Sequence, residues 1–384
     1  MDFRFSEEQE QFRDTVRRFA RSELAPLYQP GDVTKAFPRR QLAQMAALGL
    51  TGLRIPEEFG GSLQPCLTSG IAAEEIARAD FNCGYFVEQN AFLGDLLQRF
   101  GSRNMQERYL PGMANGSEVM GIALTEPAVG SDAANLSTRA IREGDAYVLS
   151  GEKTSVSFAG AMDHCIVFAK TDAAARARGV SAFVVRSEWP GVRRTVLPSI
   201  GSKCLARGTL VLDHVRVPRD HLIGEEGNGF RMIMSGFDYA RAIIALMCLG
   251  AAAQSLDETM QYVKVREAFG RPIAKFEGVQ FPIAEAHTMI EAARLLSYHC
   301  LWRKDAGLPH TKEAAMCKWW APKLAVDVIH QCLLLHGHYG YVDEMPFDQR
   351  MRDVIGLEIG DGTAQIQKIV VARELLGREF LPYR

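Results

Sequence analysis

The strongest constraint on the fold is a change of hydrophobic period that happens twice along the chain. Up to about residue 115 the apolar residues recur at helical spacing, beginning with the stripe Phe12, Val16, Phe19 and Ala20. Pro26 is expected to end that first helix. Pro38 is expected to open another that carries Leu42, Met45, Ala46 and Leu50, with Gly49 near its end. Residues 55–61, IPEEFGG, read as a Pro/Gly loop. Helices follow from about Cys66 to Arg78 and around Phe86, Glu88, Asn90 and Asp95. From Val119 to about Leu222 the runs become short and β-rich, at 146–149, 165–169, 181–185 and 208–212, with Gly, Pro, Asp and Arg-rich turns between them. Helical periodicity returns after Gly229 and is clearest over 230–265 and 321–335. The expected fold is α+β: an N-terminal helical domain (1–116), a middle β-barrel or sandwich domain (117–228) and a C-terminal helical bundle (229–384). No internal repeat or low-complexity linker interrupts the chain, so the three parts are expected to pack as one body.

Composition narrows the function. The 384 residues can bury a large core, and a hydrophobic share of 47% with 23% charged residues is that of an ordinary globular protein. A net charge of −2 gives no basic footprint for nucleic acid. No apolar run is expected to reach membrane-spanning length, and the N-terminal MDFRFSEEQEQF lacks an apolar signal core. A cytoplasmic protein is expected. The eight cysteines are scattered without a C-x-x-C pair and read as buried free thiols. His336 and His338 are two residues apart, with no third ligand in view, so no metal is expected.

The stretch that most suggests chemistry is 355–374, IGLEIGDGTAQIQKIVVARE. Asp361 lies between two glycines, just before Thr363 and an amphipathic run. An acid at a turn that feeds a helix N-terminus can cap that helix, as can Thr363. It can equally act as a base beside free N–H groups that hold a developing oxyanion. Other segments carry weaker signals. LTEPAVGSD (124–132) is a turn with hydroxyls and N–H groups suited to a phosphate or polar heterocycle. GEKTSVS (151–157) alternates hydroxyls, as a solvated strand face or a polar pocket wall would. Asp238 and Arg241 stand three apart on a helix and are placed for a local pair. Glu88 sits among apolar residues, yet its charge places it at the surface. The basic tract 262–273 ends a helix at Phe269-Gly270, and HGHYGY (336–341) breaks another with small residues.

In this order, LTEPAVGSD, GEKTSVS, FDYAR, REAFGRPI, HGHYGY and GDGTAQIQ strongly resemble the acyl-CoA dehydrogenase family of flavoproteins, over the whole chain. The resemblance implies FAD bound between the β-domain and the C-terminal helices, partly across a subunit interface. It implies flavin contacts from Leu124, Thr125, Ser155 and Ser157, and a pyrophosphate contact from Ser131. Arg266 and Phe269 match the residues that reach a neighbouring subunit's FAD, and Gly337 is a further implied cofactor contact. Thr363 and Gln365 match flavin-side residues after the base. For the thioester it implies Ser131, Asp238, Arg241 and Gly362, with Glu88 at the pocket floor. Asp361 stands at the position of the base, removing the α-proton while the β-hydrogen leaves as hydride to the flavin. An electron-transferring flavoprotein is the implied acceptor and a homotetramer the implied assembly.

Three departures from the family pattern bear on the substrate. The base is aspartate instead of the usual glutamate, and the family's alternative base position holds Ala240. Ser155 replaces a common tryptophan, while Glu277 and His338 replace a common glutamine and glycine. Aspartate with GEKTSVS and IGDGTAQIQ is similar to the branch acting on alicyclic thioesters, cyclohexane-1-carboxyl-CoA dehydrogenases in particular. A cyclic acyl-CoA is therefore the expected substrate, with Glu88 setting chain length or serving as second base in a 1,4-dehydrogenation. The alternatives are a short- or branched-chain acyl-CoA dehydrogenase, a flavin oxidase of nitroalkane type, an enoyl-CoA reductase in vivo, and a non-enzymatic DNA-associated relative, which the charge disfavours.

Overall fold

A computed structural model describes residues 4–382. Helix α1 (Glu7–Phe19) begins with a capping box. The Ser6 hydroxyl accepts from the Gln9 N–H, and the Gln9 side chain accepts from the Ser6 N–H. The chain does not stop at Pro26. It passes through a π-helical turn (Ala20–Leu24) into α2 (Ala25–Thr34), where Pro26 occupies the first turn and its missing N–H costs nothing. Helices α3 (Arg39–Ala47), α4 (Cys66–Ala79), α5 (Phe81–Phe100) and α6 (Arg103–Ala114) complete the first layer. Every residue of α5 from Phe81 to Leu97 is buried, so the helix runs through the interior and takes Glu88, Asn90 and Asp95 with it. Asp80 caps it, accepting from the N–H groups of Asn82 and Cys83.

The middle region is one mixed sheet of eight strands. They are β1 (Met120–Ala123), β2 (Arg139–Glu143), β3 (Ala146–Val156), β4 (His164–Lys170), β5 (Val180–Arg186), β6 (Val192–Val196), β7 (Gly208–Pro218) and β8 (Leu222–Ile223). Their order is β6-β7-β3-β2-β4-β5-β8, and β1 lies parallel to β4. The β3–β7 ladder slips between Lys153 and Val156, and Ser155 takes a φ of +57° there. Such a bulge re-aims side chains, and here it turns Thr154 and Ser155 away from the regular ladder. The segment GEKTSVS therefore begins as a paired strand and ends as a wall of the site.

Four long helices form the third region: α7 (Gly229–Val265), α8 (Glu277–Asp305), α9 (Thr311–His336) and α10 (Phe347–Ile359), followed by α11 (Ala364–Leu376). A short hairpin, β9 (Glu267–Ala268) and β10 (Arg271–Pro272), juts out between α7 and α8. The expectation that no apolar run would be of spanning length needs correction. Over 18 residues α7 reaches a mean hydropathy of 1.5, with 83% of that window buried inside the protein. It is apolar on all sides because α4, α5, α8 and α9 all pack on it. The eight cysteines are buried and free.

One buried carboxylate ties the three regions together. Asp353 of α10 accepts from the Tyr28 hydroxyl at 2.8 Å, the Asn82 amide at 3.1 Å and the Ser202 N–H. These donors come from α2, α5 and the β6–β7 connection. Removing an acceptor leaves buried donors unpaired, at about 1–3 kcal/mol each. Asp353→Ala is therefore expected to cost about 3 kcal/mol or more in urea unfolding, with Asp353→Asn recovering part of it. Equal stability of the alanine variant and the parent would show that these bonds do not hold the regions together.

Candidate active site

Asp361 stands on the turn between α10 and α11. Thr363 caps α11, its hydroxyl accepting from the Ile366 N–H at 3.4 Å. Capping is thus done without Asp361, whose carboxylate makes no hydrogen bond or ion pair to a described residue. Its backbone is left-handed, with φ +55°, and Gly362 follows at φ +95°. Gly362 is required: a Cβ there would lie 2.2 Å from the Gln367 amide nitrogen. The N–H groups of Asp361 and Gly362 donate to no described group. Strain of this kind persists only where the surroundings over-determine it.

Three side chains do so by gripping the carbonyls of the turn. Arg241 Nε donates to the Asp361 carbonyl at 3.3 Å. Gln367 Nε2 donates to the carbonyls of Asp361 and Gly362 at 3.3 and 3.4 Å. Lys318 Nζ donates to the Gly362 carbonyl at 3.3 Å and to that of Leu357. Arg241 is in turn paired with Asp238 at 3.2 Å, and Asp238 accepts from the Thr311 hydroxyl at 2.6 Å. Burial lowers the Lys318 ammonium to about 8, although Asp361 counters it. With the Asp361 carbonyl held by Arg241 and Gln367, the N–H of Gly362 in the same peptide points the opposite way, and Asp361 and Gly362 both line a cavity.

That cavity is about 220 Å³ and draws on all three regions. Asp361, Gly362 and Arg241 line one end. The sheet contributes Leu124 and Thr125 at the end of β1, Ser131 from the loop beyond, and Ser155 and Ser157 beyond the β3 bulge. The hydroxyls of Thr125, Ser131, Thr154, Ser155 and Ser157 make no hydrogen bond to any described residue. A second anchor fixes this wall. Glu126 is buried and accepts from the N–H and hydroxyl groups of both Ser137 and Thr138, and from Lys153 Nζ at 2.8 Å. Lys153 also donates to the Leu124 carbonyl at 3.0 Å. Burial alone would raise the Glu126 carboxyl. The bonds from Lys153, Ser137 and Thr138 outweigh it and hold the group at about 2.

Other expected residues lie outside the cavity lining. Asp238 acts behind Arg241. Thr363 is a cap, and Gln365 is exposed. Arg266, Phe269 and Gly337 form a separate surface around the β9–β10 hairpin. Phe269 is 95% exposed, and the Arg266 guanidinium lies over the Tyr339 ring at 5.9 Å. His336 stacks on Tyr262 and its Nδ1 lies 2.9 Å from the Cys332 carbonyl, so it has a packing role. Glu88 overturns the surface expectation: it is 7% exposed on α5 and has no hydrogen-bonding partner among the described residues. Burial, with the Asp361 charge adding to it, raises its carboxyl well above the ordinary value.

Sequence reasoning passed over Lys318, Gln367, Tyr85 and Arg207. Lys318 carried a signal, a lone lysine in the apolar run AAMCKWWA, where a charge is kept only with partners. Gln367 lay in the motif itself, two residues beyond the glutamine that was chosen.

The comparisons agree with this architecture. Models of the N-terminal, middle and C-terminal domains of acyl-CoA dehydrogenases match residues 6–117, 121–215 and 227–376. The 3-(aryl)acrylate reductase of Clostridium sporogenes is 35% identical over 374 residues, covering 97% of this chain and 99% of its own. The butyryl-CoA dehydrogenase structure from Megasphaera elsdenii superposes with a TM-score of 0.94 at 32% identity, covering 98% of this chain and 100% of that one. A structure reported with the electron transferring flavoprotein of Acidaminococcus fermentans reaches a TM-score of 0.95 at 34% identity, over 98% and 100% of the two chains. The fold and site define a flavoenzyme that works on a thioester. The chain belongs to the acyl-CoA dehydrogenase family and is an FAD-dependent oxidoreductase acting on acyl-CoA. The uncommitted hydroxyls along the β1 and β3 walls fit the polar edge of a flavin.

The Glu126 anchor has a pH signature. Its folded value of about 2 lies below the ordinary 4.5, so the unfolded chain binds the extra proton between them. The stability it contributes is complete above about pH 4.5 and is lost as pH falls towards 2. Over that range stability should drop more steeply than in Glu126→Gln, by up to about 1.4 kcal/mol per pH unit. Parallel acid limbs for the two proteins in urea unfolding would refute the assignment.

Proposed function

We propose that this chain desaturates a cyclic acyl-CoA such as cyclohexane-1-carboxyl-CoA or cyclohexene-carboxyl-CoA, with Asp361 as base. The observation that carries the reading is the short, immobilised carboxylate. Aspartate lacks one methylene of the usual base, about 1.5 Å of reach. The turn cannot advance to compensate, because Arg241, Gln367 and Lys318 hold its carbonyls. A substituted ring carbon presents its α-hydrogen from a bulkier centre, and the substrate makes up the distance.

Asp361 then takes the α-proton, and its own N–H and that of Gly362, which donate to no described group, are the candidate donors to the developing enolate. FAD, when bound, supplies the acceptor for the β-hydride. Leu124, Thr125, Ser131, Ser155 and Ser157 would hold it, and Thr363 and Gln365 border that side. Arg241 and Asp238 set the base turn and Gly362 lets the thioester approach. Glu88, buried one helical turn from the lining residue Tyr85 and close enough to sense the Asp361 charge, is the candidate floor residue and second base for a 1,4-dehydrogenation. The exposed surface of Arg266, Phe269 and Gly337 fits a contact with a neighbouring subunit, in a homotetramer that passes electrons to an electron-transferring flavoprotein in the cytoplasm. The second reading is a short-chain acyl-CoA dehydrogenase, favoured by the likeness to butyryl-CoA dehydrogenase. The enoyl-CoA-reducing direction is favoured by the arylacrylate reductase.

Anaerobic titration of the holoenzyme with cyclohexane-1-carboxyl-CoA should bleach the flavin band rapidly, and Asp361→Ala should abolish the bleaching. Bleaching by butyryl-CoA alone would refute the cyclic substrate and leave the family intact. For Glu88, the glutamine variant should slow turnover of a cyclohexene-carboxyl thioester tenfold or more. Unchanged turnover and product would leave Glu88 a steric role only.

A further inference from the structure

Two polar groups on the cavity wall have no work in the mechanism above. Tyr85 is 4% exposed and lines the cavity, and its hydroxyl has no hydrogen-bond partner. Arg207, immediately before β7, lines the same cavity half-buried. Its guanidinium makes no hydrogen bond or ion pair with any described residue. A buried hydroxyl without a partner costs about 1–3 kcal/mol, and a guanidinium presents five donors that ordinarily find acceptors. Two idle polar side chains facing one cavity mark a place prepared for an incoming acceptor.

The charges around Tyr85 locate that place. Its hydroxyl senses the positive charge of Arg207 and the negative charges of Asp361 and Glu88. Tyr85 and Glu88 are one helical turn apart on α5, so Tyr85 enters the cavity from the N-terminal helices, whereas the Asp361 turn is supplied by the C-terminal ones. Arg241, the other cation of the cavity, is already bound to Asp238 and to the Asp361 carbonyl. Asp361 is the carboxylate on the wall, and a second negative charge brought close to it would be repelled.

We propose that Tyr85 and Arg207 are specificity residues that read an oxygen on the acyl group, a neutral hydroxyl or oxo substituent remote from the thioester. Tyr85 donates one hydrogen bond and the Arg207 guanidinium another, and an acyl group without that oxygen leaves both unpaired. Sites built this way discriminate strongly, because the penalty falls on the analogue that lacks the group. The inference rests on the acyl-CoA reading and not on the ring.

The test is binding without turnover, in holoenzyme carrying Asp361→Ala, read from the perturbation of the bound flavin's visible spectrum. Two matched pairs are compared: cyclohexane-1-carboxyl-CoA with its 4-hydroxy derivative, and butyryl-CoA with 4-hydroxybutyryl-CoA. The hydroxylated member of at least one pair should bind tenfold tighter or more. Adding Tyr85→Phe or Arg207→Gln should erase that preference while the plain member binds as before. If only the straight-chain pair shows the preference, the ring assignment fails and the oxygen-reading role stands. Equal binding within each pair that binds overturns the role, as does failure of every ligand to bind. It is equally overturned if Arg207→Gln shifts the flavin spectrum or FAD affinity with no thioester present, since Arg207 would then belong to the cofactor.

Discussion

The active site depends on hydrogen bonds made to the back of one turn. Arg241, Gln367 and Lys318 hold the carbonyls between Leu357 and Gly362. A peptide whose carbonyl is held from one side must point its N–H to the other, because the unit is planar. The bonds to the Asp361 carbonyl therefore also turn the N–H of Gly362, which shares that peptide, away from Arg241 and Gln367. Two of the three gripping groups are cations taken into the interior, a costly arrangement kept only where their donors are used. Asp238 supports Arg241 from behind, and Thr311 supports Asp238, so the Asp361 turn rests on α7, α9 and α11 together.

The facing wall is organised by the opposite charge pattern. There a carboxylate, Glu126, is the buried centre, and Lys153, Ser137 and Thr138 converge on it. The loop 124–138 is closed on itself by this one side chain, which frees the hydroxyls of Thr125 and Ser131 for a ligand. The bulge in β3 then brings Ser155 and Ser157 alongside. Neither wall is sufficient alone. The cavity exists because the helices and the sheet are docked, and Asp353 holds them so through donors from α2, α5 and the β6–β7 connection.

Much of this was legible in the order of residues. The double change of period is a direct imprint of helix and strand geometry, and Asp361 between two glycines advertised an unusual backbone. What stayed hidden was burial decided by distant contacts. Glu88 has a charged side chain, and propensity alone places it outside. It is inside because α5 is enclosed on all sides by other helices and the sheet. Pro26 was read as a stop, but its φ suits the start of a new helix after a π turn. The apolar span of α7 is masked in the sequence by the arginines and aspartate of its early turns, and the fold buries it as a core helix. Lys318 and Arg207 come from parts of the chain far from the motif, and only the fold brings them to it.

Helix α5 joins two tasks that are usually kept apart. Its first turn, at Asn82, holds Asp353, its next turn lines the cavity with Tyr85, and the turn after that buries Glu88. The base turn, by contrast, belongs wholly to the C-terminal helices. Side chains on α5 and just before β7 can thus be exchanged to reshape the cavity wall while the Asp361 turn stays as it is. The bound on that exchange lies at the N-terminal turn of α5, where a change made for selectivity also loosens the joint between domains.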